Sequence, residues 1–162
     1  MMQYQTAIYA GTFAPVTLGH EEIIVQAAGL FGKLYIAVSP LDRSDLAIPY
    51  ELRVGFIQQV AAGFDHIEVV ELKGSIASLA KQLHAKWLVR GLRNAQDLAV
   101  EQSMAAMNAM VNPDLKTIFL QTKPAYQAIQ ATLVRQLMRS HEDISSFVPA
   151  AVWDWYKTLD NA

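Results

Sequence analysis

Between Ile8 and His20 the sequence reads Ile8-Tyr9-Ala10-Gly11-Thr12-Phe13-Ala14-Pro15-Val16-Thr17-Leu18-Gly19-His20. Thr12 and Thr17 supply hydroxyl donors, His20 supplies an imidazole, and Gly19 lets a ligand approach the backbone. Together these groups suit a phosphate. The run follows an apolar stretch, Ala7 to Ala10, and precedes an amphipathic one that begins just after His20. A loop that feeds a helix start collects unpaired N–H groups and the positive end of the helix dipole, and so favours an anion. The stretch is neither G-x-G-x-x-G nor a P-loop ending in Gly-Lys-Ser/Thr. Taken alone, Thr17 reads as a helix N-cap; the loop as a whole reads as a nucleotide site. A second cluster, Arg90-Gly91-Leu92-Arg93, sets two guanidinium forks at a strand end, where each could grip a phosphoryl group bidentately.

The elements that must position these residues alternate along the chain. Ile23, Ile24, Ala27, Ala28 and Phe31 recur at helical spacing, with Glu21 and Glu22 in the first turn and Gly32 at the close. Leu34 to Val38 predicts a second strand, followed by a polar loop from Ser39 to Ile48. Pro49 opens the next helix, whose apolar face is Leu52, Phe56, Ile57 and Val60. Ile67 to Val70 is a third strand, Gly74-Ser75 caps a short helix through Gln82, and Trp87 to Val89 is a fourth strand. A longer helix runs from Asp97 to Met110, Thr117 to Leu120 is a fifth strand, 121–129 is loop, and Gln130 to Arg139 is helical. Phe147-Val148-Pro149 introduces a terminal helix. Apolar strands that each feed a helix predict an α/β, Rossmann-like, doubly wound fold: a five-stranded parallel sheet, helices on both faces and a C-terminal helical segment. Ligands in such sheets lie beyond the carboxyl ends of the strands. The segments expected to converge are therefore Thr12 and His20, the 39–48 loop, Gly74-Ser75, Arg90 to Arg93, and 121–132.

Bulk properties narrow the function. At 162 residues, with no internal repeat or linker, the chain is expected to form one domain over 1–162. A hydrophobic content of 52% against 17% charged argues against disorder. The net charge of −2 argues against a broad nucleic-acid surface, and no apolar run approaches membrane-spanning length. No cationic segment precedes the first apolar run, and cysteine is absent, both of which fit a cytoplasmic protein.

Thr17-Leu18-Gly19-His20 is the T-x-G-H form of the H-x-G-H signature of the nucleotidyltransferase superfamily. With Gly11-Thr12-Phe13-x-Pro15-x-Thr17 before it and Val89-Arg90-Gly91-Leu92-Arg93 later, nearly the whole chain resembles bacterial phosphopantetheine adenylyltransferases. The resemblance implies transfer of the adenylyl group of ATP to 4'-phosphopantetheine with Mg²⁺ as cofactor, giving dephospho-coenzyme A and pyrophosphate. It makes His20 the catalytic residue. It assigns Thr12, Phe13, His20, Gly91, Leu92, Arg93, Glu101, Tyr126, Ile129 and Thr132 to ATP, and Thr12, Ser44, Ile76 and Arg90 to the acceptor. No residue is assigned as a metal ligand, no nucleic-acid or membrane partner is expected, and the assembly implied is a homohexamer. Without the resemblance, Glu101 reads as a solvated helix residue.

Several positions depart from the family pattern. Ala14 stands in place of an aspartate, Ser44 in place of a lysine with Arg43 beside it, and Gln130-Ala131 in place of two serines ahead of Thr132. Two further readings therefore stand beside the first: a related nucleotidyltransferase with another phosphorylated acceptor, and a nucleotide-binding homologue with little catalysis. In the catalytic readings a phosphate oxygen of the acceptor attacks the α-phosphorus of ATP directly. No general base is needed, because a phosphate monoester is already a nucleophile.

Overall fold

In the computed structural model, which describes residues 5–41 and 46–160, strands and helices alternate in the expected order. Strands β1 (Thr6–Gly11), β2 (Lys33–Val38), β3 (Ile67–Glu71), β4 (Trp87–Leu92) and β5 (Lys116–Gln121) form one sheet in the order β3-β2-β1-β4-β5. All neighbouring strands pair in parallel, with Ile8 opposite Tyr35 on one side and Leu88 on the other. The helices are α1 (Leu18–Leu30), α2 (Tyr50–Ala61), α3 (Ile76–Gln82), α4 (Ala95–Val111), α5 (Ala131–Arg139) and α6 (Ala150–Asp160).

Strand alternation sorts the central residues into two cores. On one face Ala7 and Tyr9 of β1 join Ile23, Ile24, Ala27 and Phe31 of α1, Phe56 and Ile57 of α2, and Val152 of α6. On the other face Ile8 and Ala10 meet Ala77, Leu79 and Ala80 of α3. Successive side chains of a strand point to opposite faces, so one apolar run feeds both layers. The strand order turns back between β1 and β4, which leaves a crevice beyond Gly11 and Gly91.

Helix boundaries differ from the sequence expectation where side chains close the ends. Helix α1 starts at Leu18 rather than after His20: Thr17 is its N-cap, and His20 completes a capping box in the place usually held by Glu or Gln. It ends at Leu30 with Phe31 in an extended conformation, so Gly32 is not its terminator. Pro49 is the N-cap of α2 rather than its first helical residue. Helix α4 begins at Ala95, two residues early, because Asn94 Oδ1 accepts from the Asp97 amide at 2.9 Å. The segment read as loop after β5 contains a single 3₁₀ turn, Pro124–Tyr126.

Candidate active site

A cavity of about 480 Å³ opens at the switch point, lined by Gly11, Thr12, Phe13, Thr17, Gly19 and His20 from the first loop and α1. Arg90, Gly91, Arg93, Asp97 and Glu101 line it from β4 and α4, and Ile129 to Thr132 from the start of α5. Two glycines make this convergence sterically possible. A Cβ on Gly91 would lie 2.9 Å from Ile23 Cγ1, so a side chain there would push α1 away from β4. A Cβ on Gly11 would lie 3.2 Å from the Phe13 ring, which folds back over it. Phe13 itself has φ of 50° and is buried, an uncommon backbone state for a bulky residue. Its ring meets Tyr9 and His20 edge-on at 5.4 and 5.2 Å.

The capping box sets the chemistry of His20. The Thr17 amide donates to His20 Nδ1 at 3.0 Å, so Nδ1 must carry a lone pair and the ring proton sits on Nε2. Thr17 Oγ1 lies 3.1 Å from the same nitrogen and accepts from the His20 amide at 3.4 Å. Burial, then the charges of Arg93 and Arg90, lower the imidazole pKa from 6.5 to about 4. At neutral pH, His20 is therefore an uncharged donor through Nε2–H, held in one tautomer by its own helix start.

Both arginines expected to bind phosphate already hold carboxylates. Arg90 donates through Nε and Nη2 to Glu101 at 2.7 Å each, and through Nη1 to Ala10 O at 3.2 Å. Burial opposes the Arg90 charge, but the bond to Glu101 and its negative charge outweigh it and raise the pKa. Arg93 Nε and Nη2 grip Asp97 at 3.0 Å, and the Arg93 amide donates to the same carboxylate. The side-chain bond from Arg93 is the main reason that Asp97 stays below the ordinary carboxylate range. A guanidinium carries five N–H groups, so each fork retains donors for a ligand while its carboxylate fixes its angle. Glu101 is thus no solvated helix residue: its side chain is 14% exposed and bidentate to Arg90.

On the far wall, Gln130 is the N-cap of α5, and its side chain makes no cap hydrogen bond. Arg135, about one turn down, donates to Ala14 O at 2.8 Å and to Thr132 Oγ1 at 3.3 Å, which ties α5 to the first loop.

Not every residue named from the sequence reaches the cavity. Leu92 is still strand, paired with Gln121, and its carbonyl takes the Thr122 amide at 2.8 Å. Tyr126 closes the 3₁₀ turn behind the wall, its carbonyl accepting from the Ile129 amide at 3.0 Å. Ile76 lines a separate crevice, too narrow to admit water, that shares Arg90 and Glu101 with the cavity. Gly74-Ser75 is absent from the lining, and Ser75 serves instead as the N-cap of α3. Ser44 and Arg43 lie outside the described residues. Sequence reasoning missed Asp97 as a partner of Arg93, although the i,i+4 spacing was in view. It also missed Arg53, which stands at helical spacing with Phe56, Ile57 and Val60 and is 1% exposed.

Residues 8–137 match the cytidylyltransferase-like family model. Phosphopantetheine adenylyltransferase of Coxiella burnetii (strain Dugway 5J108-111) is 38% identical over 146 residues, which cover 90% of this chain and 91% of that protein. Its counterpart from Actinobacillus pleuropneumoniae serotype 5b is 37% identical over 147 residues, 91% of this chain and 93% of that one. Among solved structures, a putative nicotinate-nucleotide adenylyltransferase from Vibrio parahaemolyticus superposes with a TM-score of 0.69 at 15% identity, over 94% of this chain and 98% of that chain. At that identity the superposition speaks for the fold alone. The sequence matches go further, and by them this chain belongs to the cytidylyltransferase-like nucleotidyltransferases and, within them, to the phosphopantetheine adenylyltransferase family.

Proposed function

We propose that this chain transfers the adenylyl group of ATP to 4'-phosphopantetheine, releasing pyrophosphate and giving dephospho-coenzyme A. The observation that carries the reading is His20: a neutral imidazole lining the cavity, its Nδ1 occupied and its Nε2–H left as donor. The family relatives that bear this activity in their names supply the acceptor.

In this reading the acceptor phosphate oxygen forms a bond to the α-phosphorus as the bond to the β-phosphate bridging oxygen breaks. Negative charge grows on the oxygens around the α-phosphorus and on the leaving pyrophosphate. His20 Nε2–H donates to that charge without first having to lose or gain a proton. Fixed donors of this kind need no reorganisation during the reaction. Arg90, angled by Glu101, takes the acceptor phosphate; Arg93, angled by Asp97, takes the nucleotide phosphates together with the free amides at the start of α5. Gly19, beside which a Cβ would meet only ordinary contacts at 3.5 Å and beyond, lets phosphate approach the α1 backbone. Thr12 and Phe13 stand between the two substrates, Gly91 floors the nucleotide site, Ile129 and Thr132 wall it, and Leu92 and Tyr126 support it from behind. Ile76 borders the acceptor arm next to Arg90, and Ser44 stands for the acceptor-loop lysine.

Mg²⁺ fits this site only as part of the nucleotide. No cluster of three or more His, Cys, Asp or Glu that could hold a metal occurs among the described residues, and the cavity carboxylates of Asp97 and Glu101 are engaged by arginines. Magnesium usually binds through substrate phosphates with few protein ligands, so we assign it to MgATP and route no step through a resident ion. The same reading places the protein in the cytoplasm as a homohexamer. No helix among the described residues is long and apolar enough to cross a membrane.

Pyrophosphate release tests the reading, with ATP and a panel of 4'-phosphopantetheine, nicotinate mononucleotide and simple phosphomonoesters. The expected outcome is turnover with 4'-phosphopantetheine well above the rest. Preference for another member of the panel would favour the reading of a changed acceptor, to which the serine at position 44 points. No release with any of them would leave a nucleotide-binding homologue.

A further inference from the structure

Arg53 lies outside the cavity lining and yet is among the largest fully buried side chains, at 1% exposure. It leaves the first turn of α2 and donates Nε to Ile48 O at 2.9 Å. Nη1 donates to Thr12 O and to Ser39 O, both at 2.7 Å, and Nη2 donates to Pro40 O at 3.3 Å. Its guanidinium lies 5.7 Å from the centre of the Tyr50 ring. One planar group thus joins the loop after β1, the chain just after β2 and the entry to α2. The first of these lines the cavity through Thr12, and Ser39-Pro40 open the sequence segment in which the proposed function assigns Ser44 to the acceptor. The Ser39 amide, 2.9 Å from Gly11 O, fastens the first two together a second time.

An arginine here does what a lysine or an apolar residue could not. Its N–H groups diverge in one plane and reach carbonyls on several segments, whereas an ammonium offers three donors from a single point. Burying the charge is costly unless its donors are satisfied, so the carbonyls must stay where the fork points. Among them is the carbonyl of Thr12, the residue between the two substrates. None of these bonds reaches α5, Arg93 or His20.

We infer that Arg53 is a positioning residue for the acceptor. It fixes the backbone at Thr12 and at Ser39-Pro40, and so acts on the acceptor more than on the nucleotide groups at Arg93, His20 and α5, which it does not touch. The inference rests on the proposed adenylyl transfer for the name of the acceptor, but its structural half does not.

The test is Arg53→Lys, which keeps the charge and removes the fork, beside Arg53→Ala. Three measurements are needed: calorimetry of each substrate, steady-state kinetics, and hydrogen exchange. In Arg53→Lys the acceptor KM should rise roughly 10- to 100-fold, the scale on which small misplacements act, while ATP affinity stays within about twofold. Exchange should quicken at 10–14 and 38–41 and remain unchanged in α1 and α5. If acceptor and ATP binding fall together, or exchange quickens evenly across the molecule, Arg53 is a structural residue and the inference is overturned. Should Arg53→Ala fail to fold, Arg53→Lys alone decides. If the wild-type protein does not bind 4'-phosphopantetheine, the proposed function fails instead, and the exchange pattern still decides whether Arg53 positions these loops.

Discussion

At the residue scale, His20 has two jobs on opposite ring nitrogens, and they separate experimentally. Removing the imidazole takes away the Nε2–H donor, and His20→Ala should lower turnover by roughly 10²–10³-fold with ATP affinity little changed. It also removes the acceptor of the Thr17 amide, so a loss of about 0.5–2 kcal/mol of stability, the usual worth of a cap, should accompany it. Unchanged turnover would confine His20 to the capping role. The pH dependence follows from the same geometry. Unfolded, the imidazole takes up a proton near pH 6.5; folded, it resists until about 4. Within that window the unfolded chain binds more protons, so this contribution to stability is complete above 6.5 and lost as pH falls towards 4. Urea unfolding between about pH 4.5 and 7.5 should show a slope in the wild type that flattens in His20→Ala. Equal slopes would mean that the imidazole is not desolvated as described.

At the scale of the element, the open N-terminus of α5 is the informative feature. A helix start leaves backbone N–H groups unpaired, and here neither Gln130 nor Ala131 covers them with a side chain. The amides and dipole remain to attract a triphosphate, but two hydroxyl donors of the family pattern are missing. At about 0.5–1.5 kcal/mol for each hydrogen bond, two restored donors correspond to roughly 5- to 150-fold in affinity. Gln130→Ser with Ala131→Ser should therefore tighten ATP binding in calorimetry without altering the choice of acceptor. Unchanged affinity would show that the triphosphate is held elsewhere. Arg135 offers compensation only through a constrained route, since it is engaged by Ala14 O and Thr132 Oγ1.

At the scale of the whole molecule, α4 presents a surface that the fold does not cover. None of its residues is buried, and Val100, Met104, Met107 and Val111 fall on one stripe at helical spacing, each at least 42% exposed. Met110, beside that stripe, is 84% exposed. An apolar stripe of this kind ordinarily lies against a second surface. The aromatic residues of the terminal helix, by contrast, are taken up within the fold. Trp155 packs on Phe56, Trp153 on Tyr156, and the Tyr156 hydroxyl donates to Met138 O. Assembly is accordingly expected through α4, and sedimentation should find an oligomer, hexameric on the family pattern. Met107→Glu should shift it towards smaller species. A stable wild-type monomer at micromolar concentration would sink this expectation.

The architecture and the place of the site are legible in the order of residues. Apolar strands feeding amphipathic helices admit few packings besides a covered parallel sheet, and the loop from Gly11 to His20 joins a strand to a helix. Such local patterns are legible because neighbouring residues generate them. Which groups meet depends instead on how the elements pack. That Arg90 is held by Glu101, eleven residues away, depends on how β4 and α4 cross, and no local pattern encodes that. That Leu92, Tyr126 and Ile76 stand outside the cavity follows from strand pairing, a 3₁₀ turn and a dividing cleft. The tautomer of His20 was latent in the short run Thr17 to His20, but it became fixed only when the helix start closed on its own imidazole. Arg53 shows the limit most plainly. A cation on an apolar helix face looks like a solvated exception, until three separate segments, one of them 41 residues away, supply the carbonyls that let it be buried.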